Sequence, residues 1–271
     1  MIRFGKVLLI LLPFFLCGCL EMSQEIFINK DGGGRIVEKF MMSTAAIEKL
    51  TGLFAAFPGA EGAKTKKTDM YDRKKLKADA AKYGPGVQYV SSRKLNTDTQ
   101  EGYEVQYAFK DINTLRINQN PSDKGPKPAD ATSNAKQEDI TFQFEKGNPA
   151  TLTVIFPGKP DFTKEKKRTK DKRDKTAKKQ ATEEVREFLK DLYIGIKLHP
   201  EGKIVETDAT YNEDGTITLL EMDFNKLLTD QKEFESFAKK EPESVEEAKA
   251  LLKKLPGFKI ELNEKVVIKF E

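Results

Sequence analysis

Cysteine, histidine and tryptophan are almost missing from this sequence. Its 271 residues hold two cysteines, one histidine and no tryptophan. Both cysteines, Cys17 and Cys19, lie at the start, so the body of the chain has none. That excludes an internal disulfide framework and a thiolate metal site. A cysteine-free body suits an oxidising compartment outside the cytoplasm. His199 stands alone, without the further ligands a zinc site needs, and no nucleophile and orienter can be assigned around it. A turn histidine before Pro200-Glu201-Gly202 is the simpler expectation. Gly-rich phosphate loops, nucleophile elbows and metalloprotease helices are also missing. No catalytic residue, cofactor or metal is therefore expected. A membrane-spanning run is missing too: Val7 to Leu16 gives ten residues, where a helix needs about 20 to cross a bilayer.

What is present supports a folded body. Hydrophobic residues make up 38% and charged residues 33%, which is charge-rich but leaves enough apolar material for a core. The formal net charge is +4. Without Arg3 and Lys6 it falls by two, and a balance that small implies no nucleic-acid partner.

Arg3 and Lys6 precede the apolar run as a positive n-region, and the run ends in Leu16-Cys17-Gly18-Cys19. This pattern resembles the lipobox of bacterial lipoproteins. The resemblance implies a signal peptide over 1–18, cleavage between Gly18 and Cys19, and diacylglyceryl transfer to the Cys19 thiol, often followed by N-acylation such as palmitate. Several acyl chains anchor stably where one binds only marginally. Leu20, not aspartate, follows the cysteine. In such lipoproteins that favours the outer membrane where one exists.

Beyond the anchor, alternation and turn chemistry predict hairpins. In residues 20–42, Leu20, Met22, Ile26 and Ile28 share one strand face, and Asn29 to Gly34 is a turn. Ser43 caps a helix carrying Ile47, Leu50, Phe54 and Phe57. A polar helix is expected over 69–83, stopped by Gly84-Pro85-Gly86. A second hairpin joins 87–95 to 102–112, where Tyr103, Val105, Tyr107 and Phe109 alternate with Glu104, Gln106 and Ala108. Residues 118–137 read as an exposed loop. A third hairpin runs from Ile140 through Gly147-Asn148-Pro149 to Phe156. Thr182 caps a helix with Val185, Phe188, Leu189 and Leu192, followed by a strand over 193–198. A fourth hairpin spans Lys203 to Met222, and helices cover 223–240 and 245–255, the second with a capping box at Ser244 and Glu247. A fifth hairpin turns at Asn263-Glu264 and ends at Phe270. Hairpins separated by helices favour an α+β class with antiparallel sheets. The expected divisions are the signal peptide at 1–18, an α+β region at 19–158, a basic linker at 159–181 and an α+β region at 182–271 packed with the first.

The strand starting almost at the cysteine, the Asp31-Gly32 turn and the late 203–222 hairpin followed by helix give the mature chain a resemblance to LppM-like bacterial lipoproteins. That likeness implies an envelope α+β domain of non-enzymatic or unassigned role, with no catalytic residue to carry over.

Two further stretches invite a functional reading. Thr210 to Glu221 nearly matches a calcium loop, with Asn212 third, Asp214 fifth, Gly215 sixth and Glu221 twelfth. Thr210 replaces the first aspartate, and the flanks read as strands, so a plain hairpin is expected. Residues 159–179 hold eleven Lys or Arg against four Asp or Glu. Within them Lys166, Lys167, Arg168, Lys170, Lys172 and Arg173 are candidate contacts for anionic headgroups or polysaccharide. Phe162 is the only aromatic there, so base stacking is not supported, and a solvated linker is the plainer alternative. The expected protein is a membrane-anchored envelope lipoprotein that binds or scaffolds. The alternatives are an envelope hydrolase using acidic residues and a carrier of an apolar ligand.

Overall fold

The computed structural model describes residues 20–48, 70–119, 139–157, 186, 189–230 and 245–271. The lipobox, the basic run, Leu50, Phe54, Phe57, Thr182, Ser244 and most of the 118–137 loop lie outside the described residues. The class is α+β, strand-rich with short helices. The strands are β1 (Leu20–Ile28), β2 (Gly34–Ser43), β3 (Gln88–Asn96), β4 (Gln100–Phe109), β5 (Arg116–Asn118), β6 (Asp139–Glu145), β7 (Ala150–Ile155), β8 (Tyr193–Pro200), β9 (Ile204–Thr207), β10 (Asn212–Glu213), β11 (Thr216–Asp223), β12 (Phe258–Ile260) and β13 (Lys265–Phe270). The helices are α1 (Arg73–Asp79), α2 (Phe224–Thr229) and α3 (Val245–Leu252).

Two sheets result. The larger runs β10-β11-β8-β1-β2-β4-β3, with β12 also on β11, and the smaller runs β5-β6-β7-β13-β9. Strand alternation explains how they pack. Met22, Ile26, Ile36, Phe40, Val105, Tyr107, Ile196 and Leu198 point inward from the larger sheet. Ile140, Leu152, Val154, Val266, Ile268 and Phe270 do so from the smaller, and all join one hydrophobic cluster. Truncating a fully buried phenylalanine such as Phe40 or Phe270 to alanine costs about 3–5 kcal/mol.

Three hairpins form as the sequence predicts: β1–β2, β3–β4 and β6–β7. Ser43 Oγ accepts from the Ala46 N–H at 3.1 Å and caps the helical turns over 44–48. Asp72 caps α1, which then tightens into a 3-10 turn ending at Tyr83. The other two predicted hairpins do not form as single units. β9 leaves for the smaller sheet and pairs with β13, so the Asp214-Gly215 turn joins only β10 to β11. Both turn residues have positive φ, 51° and 76°, as a tight two-residue hairpin requires. Strand flanks and this turn leave the calcium-loop pattern as a plain hairpin. Likewise β12 pairs with β11 in the larger sheet while β13 joins β7 in the smaller. Asn263-Glu264 is therefore a crossing between sheets. Turn residues mark where the chain bends, and they do not say which sheet takes the next strand.

The larger departure is polarity. β1 pairs antiparallel with β2 on one side and parallel with β8 on the other, from Glu21↔Tyr193 to Ile28↔Pro200. Strands from both sides of the 159–181 stretch thus build each sheet, since β13 also pairs with β7.

A polar cage interrupts the apolar inner face. Gln24 and Glu38 are cross-strand partners, each 1% exposed. Glu38 accepts from Gln24 Nε2 at 3.2 Å, from the Tyr103 hydroxyl at 2.9 Å and from the Tyr83 hydroxyl. Gln24 Nε2 also donates to Tyr83 at 3.0 Å, and Tyr107 donates to the Leu76 carbonyl at 3.0 Å. These bonds fix the α1 segment to β1, β2 and β4. Burial first, then the Glu38 charge, pushes the Tyr83 and Tyr103 hydroxyls well above the ordinary tyrosine value. A raised folded pKa stabilises fully below the unfolded value and is lost as pH climbs past it. Stability to urea should therefore fall as pH rises above about 10, where unfolded tyrosine ionises. Tyr103→Phe should make that fall shallower. An unchanged slope in the variant would show that Tyr103 ionises as freely folded as unfolded.

Candidate binding face of the larger sheet

The outward positions of the larger sheet form a second alternating set: Glu21, Ser23, Glu25 and Phe27 on β1; Arg35, Val37, Lys39 and Met41 on β2; Tyr193, Gly195, Lys197 and His199 on β8. Register fixes which of them meet. Phe27 lies opposite Arg35 on one side and His199 on the other, and Ile217↔Leu198 brings Thr216 beside His199.

That row is ordered by stacking. The Arg35 guanidinium sits 4.0 Å from the Phe27 ring centroid. The His199 ring stacks on Phe27 at 4.6 Å and 18°. His199 Nε2 pairs with Glu25 Oε2, and Nδ1 lies 3.3 Å from Thr216 Oγ1. Each ring nitrogen of His199 thus has an oxygen partner, one on β1 and one on β11. Chemically, the row offers an exposed guanidinium over the face of a half-buried ring, and an imidazole with an oxygen partner at each nitrogen. His199 is thus a strand residue with partners on two neighbouring strands, not the turn residue expected. The alternation of Tyr193, Gly195 and Lys197 simply continues through it, and β8 ends one residue later, at Pro200.

Elsewhere on this face acids and bases are matched. Lys39 meets Glu21 at 2.7 Å, and Arg93 grips Glu104 through two bonds of 2.8 and 2.9 Å. Bonding to Arg93 holds the Glu104 carboxyl below its usual range, against a smaller opposing effect of burial. Lys197 reaches Glu221 at 3.2 Å, and Lys226 bridges Glu221 at 3.8 Å and Asp223 at 3.3 Å. Burial lowers the Lys197 pKa, but Glu221, Tyr193 and Glu25 together outweigh it and raise the net value. Lys259 pairs with Glu213 at 2.6 Å. Arg35 differs, with an aromatic ring as its partner.

The sequence-predicted site residues, Gly18, Cys19, Lys166, Lys167, Arg168, Lys170, Lys172 and Arg173, lie outside the described residues. Among the described residues, no three His, Cys, Asp or Glu side chains group closely enough to hold a metal ion. No described helix is long and apolar enough to cross a membrane. Sequence reasoning missed Glu25, Phe27, Arg35 and Thr216 as one row because His199 joins Glu25 and Phe27 only through the parallel β1–β8 register and Thr216 only through the β8–β11 pairing. Gln24 and Glu38 did leave a signal, since each is a polar residue at inward parity in an otherwise apolar strand face.

Half-exposed ion pairs are worth little to folding. A double-mutant cycle with Glu25→Gln and His199→Gln, read by urea denaturation, should give a coupling below about 1 kcal/mol, and Arg35→Ala should cost about 0.5–1 kcal/mol. A coupling of several kcal/mol would make the pair a structural keystone, not a surface free to engage a partner.

Comparison with known proteins adds one distant likeness. No family model matches the chain, and no curated protein matches it. Among solved structures, the NMR structure of the folded domain of LppM from Mycobacterium tuberculosis matches over 74% of this chain and 81% of that chain, at 14% identity and a TM-score of 0.27.

Proposed function

We propose that this chain is a lipid-anchored lipoprotein of the bacterial envelope that acts as a non-enzymatic binding or scaffolding module. The supporting observation is the place where the first strand begins. β1 starts at Leu20, directly after Cys19, and is paired on both sides for nearly its whole length. A lipid on Cys19 would therefore hold the middle of the larger sheet, with no flexible tether between. At about 3.3 Å per residue, Ile28 stands about 30 Å along the strand from the anchor. Strands leaving the bilayer would raise the outer face beside it and carry the Arg35–Phe27–His199 row to its far end. In this reading the anchor sets the orientation and the outer face meets the partner. The basic residues Lys166, Lys167, Arg168, Lys170, Lys172 and Arg173 add attraction to anionic headgroups, the second signal that strengthens lipid anchoring.

The reading is tested by processing. Cys19→Ala in the full chain, expressed in a bacterial host, should abolish incorporation of an alkyne fatty acid and leave the precursor uncut. Normal cleavage of that variant would sink the anchor. Replacing the six basic residues by glutamine should weaken binding of the unlipidated chain to phosphatidylglycerol vesicles at least tenfold, given about 1 kcal/mol per basic residue near such a surface. Unchanged binding would leave 159–181 as a linker.

A further inference from the structure

The two sheets exchange chain at one place. Residues 208–211 carry the chain from β9 to β10, and residues 261–264 carry it from β12 to β13. Glu261 ties the crossings together. It is 5% exposed, and its carboxylate accepts from the Thr210 N–H at 2.7 Å, the Thr210 hydroxyl at 3.0 Å and the Asn263 N–H at 3.0 Å. Asp208 adds a second tie by accepting from the Val267 N–H at 2.6 Å. The end of α3 comes against this joint.

A recess of about 150 Å³ opens there, lined by Leu252, Ile260 and Leu262 together with Tyr211, Thr210, Asn263 and Lys253. A cavity of that size accepts a benzene-sized group. Three apolar side chains and four polar ones share the lining, so the recess suits a small ligand with both an apolar and a polar part. Glu261 beside it is satisfied by three neutral donors and keeps its negative charge, so an anionic group suits only the Lys253 side of the recess. Lys253 is different. It is exposed, and among the described residues it has no acidic partner. The polar demand of the recess is therefore for an anion at one side of an apolar group.

We propose that this recess binds a small carboxylic acid whose apolar part is one aromatic ring or a short branched alkyl group. The apolar part packs on Leu252, Ile260 and Leu262, and the carboxylate meets the Lys253 ammonium. The same tie that holds the sheets together thus preforms the recess, because Thr210 and Asn263 are fixed by Glu261. The proposal depends neither on the outer face nor on the anchor.

The test is a methyl-detected NMR titration of the full mature chain with benzoate, benzyl alcohol and benzylammonium. The Leu252, Ile260 and Leu262 methyls should shift saturably with benzoate in the millimolar range, more weakly with the alcohol and not with the ammonium. Lys253→Gln should weaken benzoate about three- to fivefold, the worth of one exposed ion pair, and leave the alcohol unchanged. Unmoved Ile26 and Ile196 methyls check that the variant keeps its core. The proposal is overturned if the three methyls stay still with benzoate into the tens of millimolar. It is equally overturned if benzylammonium matches benzoate, or if Lys253→Gln leaves benzoate affinity unchanged.

Discussion

Everything in this fold depends on β1 having two neighbours. On one side it meets β2, joined to it by a turn over 29–33. On the other it meets β8, which begins at Tyr193. The first pairing is cheap in chain entropy, because a short turn closes it. The second must bring together segments 172 residues apart in sequence before any ladder bond rewards it. Once formed, it places β11 and β12 as well, since both build outward from β8. It also sets the outer-face row, because Phe27 meets His199 only in this parallel register.

The inner side shows how a charge is accommodated at the centre of such a sheet. Glu38 sits where alternation calls for an apolar residue. Removing one partner from a buried charged network costs about 3–5 kcal/mol, and here the partners come from β1, β4 and the turn after α1. The cage thus trades apolar burial for a geometric requirement, that Tyr83 and Tyr103 arrive together. Tyr107, bonded to the Leu76 carbonyl, makes the same demand on α1. On the outer side the charges are less constrained, because they remain partly in water and are worth correspondingly less.

Local chemistry was legible and long-range partnership was not. β4 could be read directly, because Tyr103, Val105, Tyr107 and Phe109 alternate with polar neighbours. The β10–β11 turn was legible because Asp214 and Gly215 accept positive φ. Ser43 was legible as a cap. The partners of β9 and β12 were not, since each is followed by turn residues that suit a hairpin equally well as a crossing. His199 was misjudged for a related reason. Proline next to it suggested a turn, yet Pro200 closes an edge-free strand whose outward alternation includes the histidine. The row it belongs to combines residues from β1, β2, β8 and β11, and no spacing within one segment encodes that meeting.

In the proposed reading β1 runs outward from a lipid on Cys19, so height above the bilayer would increase along it. Paramagnetic relaxation from gadolinium-labelled headgroups, measured on β1 amides of the lipidated protein in nanodiscs, reads that height residue by residue. The account predicts strong broadening at Glu21 and Met22 that fades steadily toward Phe27 and Ile28, about 25–30 Å away. Equal broadening along β1 would mean that the sheet lies flat on the membrane, and the proposed presentation of its outer face would be wrong.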